Sequence, residues 1–241
     1  MLEVPAPPKS RAHRVPVPAV RGFHHGHLRQ ALLDAALAAS DIEGLSLRQL
    51  ATGLGVTPAA AYRHFASRED LLLEVARIGF ARLESRFAQA FDIAQPPVDA
   101  LEAQARLQRL AHAYLQFADD EPPLWRLIFG AHGAAYRALA DLLDRRNSYD
   151  YLPAALLGLH RAGVVPSPPT ERDALFAWSA VHGAASLRAG RVPGALMPLD
   201  DLACEVATRV VQSLRVTPWA AQAKPAAEAH PTGASGSRHP V

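Results

Sequence analysis

Ser46-Leu-Arg-Gln-Leu-Ala-Thr-Gly-Leu-Gly-Val-Thr-Pro-Ala-Ala-Ala-Tyr-Arg-His-Phe65 spells two short helices joined by a glycine turn. Ser46 followed by Gln49 forms a capping box: the hydroxyl accepts an orphan amide, and the Gln side chain reaches back to the cap's own N–H. Leu47, Leu50 and Leu54 recur at helical spacing and predict one buried stripe. Gly55 supplies the left-handed backbone that ends the first helix at little steric cost. Thr57 caps the second helix, with Pro58 at its first position, where a missing N–H costs nothing. Val56, Ala61 and Phe65 are expected to face inward, and Ala51 is small enough to let the two helices cross closely. The pattern is a helix-turn-helix, whose second helix is the usual reader of the DNA major groove.

Working outward, Phe23-His-His-Gly26, Leu28-Arg29, Ala35-Ala36, Leu45-Ser-Leu-Arg48, Gly55-Val-Thr-Pro58, Tyr62-Arg-His-Phe65 and Arg68-Glu-Asp-Leu71 follow in order. Together they resemble the N-terminal module of TetR-type transcriptional regulators, over roughly Arg21 to Phe91. Downstream, Trp178-Ser-Ala-Val-His-Gly183 resembles the Trp…His-Gly motif of one C-terminal subclass of that family. Phe117-Ala-Asp-Asp-Glu-Pro-Pro-Leu-Trp-Arg-Leu-Ile-Phe-Gly130 is similar to the segment preceding it there.

The 241 residues suffice for one large domain or two modest ones. Apolar content of 49% and a mean hydropathy near zero fit an ordinary globular chain. No apolar run approaches a bilayer span, and the first residues lack the pattern of a secretory signal, so the cytoplasm is the expected location. The single cysteine, Cys204, fits a reducing compartment; its neighbours Leu202, Ala203 and Val206 predict a small core residue on a helix. Net charge is only +2, but residues 1–30 hold Lys9, Arg11, Arg14, Arg21 and Arg29 against Glu3 alone. Such a basic end favours a polyanionic partner.

The fold is expected to be all-α. Residues 1–20, rich in proline and basic groups, read as a disordered arm, and residues 217–241 as a disordered tail. Residues 21–91 form a three-helix head with its linker helix, and residues 92–216 a helical-bundle body for effector binding and dimerisation. The first helix is expected over about 26–41, with Leu28, Leu32, Ala35, Ala36 and Ala39 on one face. Ser67 and Asp70 cap the linker helix, whose inward face holds Leu72, Val75, Gly79, Leu83 and Phe87. Further helices are predicted over 98–118, 122–132, 133–144, 148–161, 170–189 and 199–215. The last two place Leu175, Trp178, Val181 and Ala185, then Val206, Val210, Val211 and Leu214, on apolar sides. These fit either a four-helix dimer bundle or internal packing of one chain.

The DNA-contact candidates are Arg48, Thr57, Pro58, Ala59, Tyr62, Arg63, His64 and Arg68. Thr57 and Ala59 stand where a reading helix meets base edges, and their methyls suit the thymine methyl. The resemblance implies that Tyr62, His64 and Arg68 grip phosphates, which positions a protein without reading sequence. Tyr62 also fits core packing. Thr52-Gly53 departs from the basic residues common there, leaving more of the grip to the arm, where Arg14 and Arg21 are either minor-groove contacts or solvated charges. His24, His25 and His27 lack partners at a metal-binding spacing, so no metal and no cofactor are expected.

In the body, Phe117, Trp125, Phe129 and Tyr136 are the candidate effector contacts. Trp178 and His182, at i and i+4, serve either a pocket or a tight helix joint at Gly183. No catalytic or nucleotide-binding fingerprint is present, and an enzyme is not expected. The resemblance implies a homodimeric regulator that holds a near-palindromic double-stranded operator and is released by an unknown small molecule. An effector-independent architectural DNA binder is the alternative.

Overall fold

The structure, a computed structural model, describes residues 27–130, 133, 148–193 and 196–216, and every element among them is helical. The expected arm, the tail, the helix over 133–144 apart from Gly133, and Tyr136 lie outside the described residues. In chain order the elements are α1 (Leu28–Leu37), α2 (Leu47–Gly53), α3 (Pro58–Tyr62) and the long α4 (Arg68–Ala90). There follow α5 (Ala100–Asp120), α6 (Pro122–Phe129), a single 3-10 turn (Ser148–Asp150), α7 (Tyr151–Arg161), α8 (Glu171–Ala189) and α9 (Leu199–Arg215).

Capping chemistry sets most of these boundaries. Ser46 Oγ accepts the Gln49 N–H at 3.1 Å while Gln49 Oε1 accepts the Ser46 N–H at 3.2 Å. Ser67 and Asp70 make the same reciprocal pair at 3.0 and 3.1 Å, and α8 starts on another box, Thr170 with Asp173. Gly55 takes φ +73°, the left-handed turn a side chain would resist. The first helix is shorter than expected: Ala38 closes back on Asp34, and Asp41 draws the Gly44 N–H into a local turn at 3.0 Å. Asp99 moves the start of α5 to residue 100 by accepting the Glu102 N–H at 2.7 Å. The sixth helix stops at Phe129, where Gly130 turns to extended backbone.

Two cores form on one helix. The first turns of α4 bury Leu71, Leu72, Val75 and Ala76 with Leu32 and Leu33 of α1, Leu50 and Ala51 of α2, and Ala61 and Phe65 beside α3. Its later turns bury Leu83 and Phe87 in the body, where α5 is the hub, packed by α4, α6, α7, α8 and α9. Between the two stands Gly79: a Cβ there would meet Ile128 Cγ2 at 2.9 Å and Leu124 Cδ1 at 3.0 Å. Glycine is therefore what lets α6 lie against α4. Arg82 with Glu121, and Arg86 with Asp120 at 2.9 Å and Glu121 at 3.3 Å, tie α4 to the α5–α6 corner.

An aromatic joint links α5, α6 and α8. His182 stacks on Trp125 with 5.3 Å between ring centres, and its Nδ1 lies 2.7 Å from the Tyr114 hydroxyl. Burial pushes the imidazole below its usual range, so the neutral ring is favoured. The helix joint expected at Gly183 is not found: a Cβ there would meet nothing within 4 Å. Cys204 is likewise not in the core but exposed. Ala203 and Ala207 take the inward positions of α9, and one further residue rotates the thiol outward. Of the two readings of the closing helices, internal packing accounts for Val181, Ala185, Val210 and Val211, all buried within one chain. Leu175 departs from that face and is 58% exposed.

Gly79→Val should cost roughly 1–3 kcal/mol of unfolding free energy in a denaturant titration, because two buried side chains must move. An unchanged midpoint would mean that α4 and α6 do not pack this closely. His182 has a pKa below its unfolded value, so its stabilising contribution is complete above about 6.5 and is lost as pH falls from there toward the folded value. The melting midpoint should therefore drop further between about pH 7.5 and pH 5 in the wild type than in His182→Gln. Equal drops would reject this coupling.

Candidate nucleic-acid interface and body cavity

The turn at Gly55 and the cap at Thr57 project α3 away from the head core. Thr57, Pro58, Ala59 and Arg63 are exposed, as is Arg48 on α2, while His64 is half-buried. Only Ala61 of α3, with Phe65 just after it, anchors the segment inside. Tyr62 is 51% exposed, which removes it from the core. Thr57 Oγ1 accepts the Ala60 N–H at 3.3 Å, leaving its own hydroxyl hydrogen available to an outside acceptor. The outward face thus combines two guanidinium groups, a phenol and small methyl-bearing side chains. That composition suits phosphates and thymine methyls.

Arg68 is the departure. Its Nε donates to the Leu45 carbonyl at 2.8 Å, its Nη2 to the Glu43 carbonyl, and its Nη1 reaches Glu69 at 3.4 Å. The guanidinium is turned onto the α1–α2 loop, where it fixes the approach to the Ser46 cap. A second clamp joins α1 to α4: Glu74 pairs with Arg77 at 3.0 Å and Arg29 at 3.2 Å. The Arg77 hydrogen bond, opposed by partial burial and helped by Arg29, holds the Glu74 carboxyl below the ordinary carboxylate range. The Arg29 guanidinium also lies 5.2 Å from the centre of the Phe65 ring.

The body holds a partly open cavity of about 360 Å³ among α4, α5, α6, the 3-10 turn, α7, α8 and α9. Of the expected effector contacts, Phe129 and Trp178 stand on its wall. Phe117 does not: it is fully buried, with the Arg86 guanidinium 5.6 Å from its ring centre. Trp125 and His182 are also off the wall and belong to the aromatic joint. Leu83 and Phe87 of α4, Tyr149, and Val206 and Val210 of α9 line the cavity without having been assigned to it from sequence. Helical periodicity marks these residues as inward, yet it does not distinguish a packed interior from a void.

The α6 helix reaches both regions. Phe129 faces the cavity, while Arg126 donates to the Ser40 carbonyl of the head at 3.3 Å. Among the described residues no helix is long and apolar enough to cross a membrane.

Comparison with known proteins agrees with this architecture. Residues 32–75 match the family described as bacterial regulatory proteins, tetR family, and residues 107–214 match the tetracyclin repressor-like C-terminal domain. Over 138 residues the chain is 33% identical to the nucleoid occlusion factor SlmA of Marinobacter nauticus, spanning 56% of this chain and 68% of that protein. Over 100 residues it is 31% identical to the HTH-type transcriptional regulator BetI of Rhizobium meliloti, spanning 40% of this chain and 48% of that one. A solved structure of a protein of unknown function from Rhodococcus sp. RHA1 superposes with a TM-score of 0.64 at 30% identity, covering 82% of this chain and all of that one. The regulator PfmR of Thermus thermophilus shares the fold, with a TM-score of 0.57 at 20% identity over 76% of this chain and 97% of its own. With both halves matched in order around an outward-facing helix-turn-helix, the chain belongs to the tetR family of bacterial regulatory proteins: it is a DNA-binding transcriptional regulator and not an enzyme.

Proposed function

We propose that the protein is a homodimeric repressor of the cytoplasm, released from a near-palindromic operator when a small molecule enters the body. The observation that carries this reading is the double membership of α4. Leu71, Leu72 and Val75 belong to the head core, and Leu83 and Phe87, on the same helix, line the cavity. A ligand that displaces Leu83 or Phe87 acts on a rod of 23 residues, about 35 Å long, whose far end carries α2 and α3. Release requires the ligand to bind the DNA-incompetent arrangement more tightly than the competent one.

Residues 21–91 serve as the DNA-binding unit and residues 92–216 as the sensing and dimerising unit. Arg48, Arg63 and Tyr62 hold phosphates, with His64 at their edge, and Thr57, Pro58 and Ala59 meet the bases. Arg68 braces the α1–α2 loop beside them. For the dimer, α8 keeps an uncovered apolar side on which Leu175, Phe176 and Leu187 are 58%, 51% and 52% exposed. Gly183 lies between them with nothing against it, which favours a second helix approaching closely. Two copies joined there would present two heads to half-sites one DNA turn apart.

Gel shifts against the DNA beside its own gene should show specific binding whose affinity falls linearly with log salt. Binding that ignores salt, or ignores sequence, would sink the operator reading. Tyr62→Phe should weaken every DNA sequence about equally, by roughly five- to tenfold, for the loss of one phosphate hydrogen bond. A loss confined to one operator would instead make Tyr62 a base reader. Phe176→Asp with Leu187→Asp should sediment as a monomer and lose operator affinity; a persisting dimer would place the interface elsewhere.

A further inference from the structure

We infer that the body cavity takes an uncharged, largely hydrocarbon ligand, and that it discriminates against both cations and anions of the same shape. This rests on the effector reading above and names the class of molecule it concerns. Among the described residues the wall contains no Asp, Glu, Lys, Arg or His. It is built from aliphatic side chains and the rings of Phe87, Phe129, Tyr149 and Trp178, with Ser148 adding a hydroxyl. Tyr149 and Trp178 also carry an O–H and an N–H, and the Tyr114 hydroxyl, a further polar group on the wall, is engaged by His182. Pro153 and Leu175, which line the cavity and are also exposed, give its mouth apolar lips.

Several charged groups of the neighbouring helices are committed elsewhere. Glu102 pairs with Arg106 and Arg109, Asp119 with Arg188, and Asp120 and Glu121 with Arg86 and Arg82. None of these carboxylates or guanidinium groups lines the cavity. His182, which meets the Tyr114 hydroxyl and packs against Trp178, is shifted toward its neutral form by burial. Among the described wall residues an anion would find no cation, and a cation no carboxylate. The rings alone offer a cation a weaker attraction than the hydration it gives up on burial. A neutral ligand has no such loss, and a volume of about 360 Å³ falls in the range of small-molecule sites.

The test uses the full-length chain and three probes. N-phenyl-1-naphthylamine is neutral, 8-anilinonaphthalene-1-sulfonate has the same aromatic framework with one sulfonate, and 9-aminoacridine is a flat aromatic cation. Fluorescence titration should show the neutral probe binding at least about 100-fold more tightly than either ion. Ala174→Trp and Val206→Phe, which fill the cavity from α8 and from α9, should each weaken that binding at least about tenfold. Unfolding midpoints measured alongside identify whichever variant keeps its fold. Three results would overturn the inference: no binding of the neutral probe, neutral-probe binding indifferent to both fillings, or an ion bound as tightly and lost in the same variants. Failure of the effector reading looks different. The neutral probe would then occupy the cavity and respond to the fillings, yet leave operator affinity unchanged.

Discussion

Everything in this molecule hangs on α4 being one uninterrupted helix buried at both ends. Its first turns close the DNA-binding head, and its later turns close the body and line the cavity. Neither core is complete without it. A helix has little freedom to bend without a proline or an inserted group in its hydrogen-bond ladder, and the sequence from Arg68 to Ala90 contains no proline. Movement of one end therefore carries to the other, and Gly79, midway, lets α6 lie close enough to be carried with it.

Arginine supplies the second level of organisation. Arg68 holds the α1–α2 loop by backbone carbonyls, Arg29 and Arg77 share Glu74, and Arg82 and Arg86 grip the α5–α6 corner. Arg106, which is buried, caps the approach to α5 by donating to the Gln95 carbonyl at 2.5 Å. Isolated surface pairs contribute little to stability, but these donors are shared among several acceptors and link separate elements. The arrangement holds charge at the periphery of both cores. Among the described residues the cavity wall is left to uncharged side chains, and Arg48 and Arg63 stay exposed on either side of α3 in the helix-turn-helix.

Much of the architecture was legible because its signals are local. Ser46 with Gln49, Gly55, Thr57 with Pro58, and Ser67 with Asp70 each state a boundary within four residues, and each holds in the structure. The inward stripe Leu72, Val75, Gly79, Leu83, Phe87 was equally readable from helical spacing. The family's order of motifs also fixed the exposure of the Thr57–Arg63 face. Where a side chain's surroundings were not legible, the deciding partner was distant in the chain. Arg68 fits a phosphate-contact pattern, but its acceptors stand 23 and 25 residues earlier. Cys204 has apolar neighbours in sequence and solvent in space.

The amino-acid order alone determined an all-helical chain, a helix-turn-helix with its caps, and the class of protein, because backbone hydrogen bonding and side-chain periodicity act over a few residues. Tertiary structure decided which aromatic residues surround empty space. Phe117 and Phe129 are both apolar and both inward, yet one is sealed in the core and the other faces the cavity. The difference comes from how five helices of fixed diameter meet around α5. Where their side chains cannot fill the gap, a void remains, and its position is a property of the whole packing that no short stretch of sequence contains.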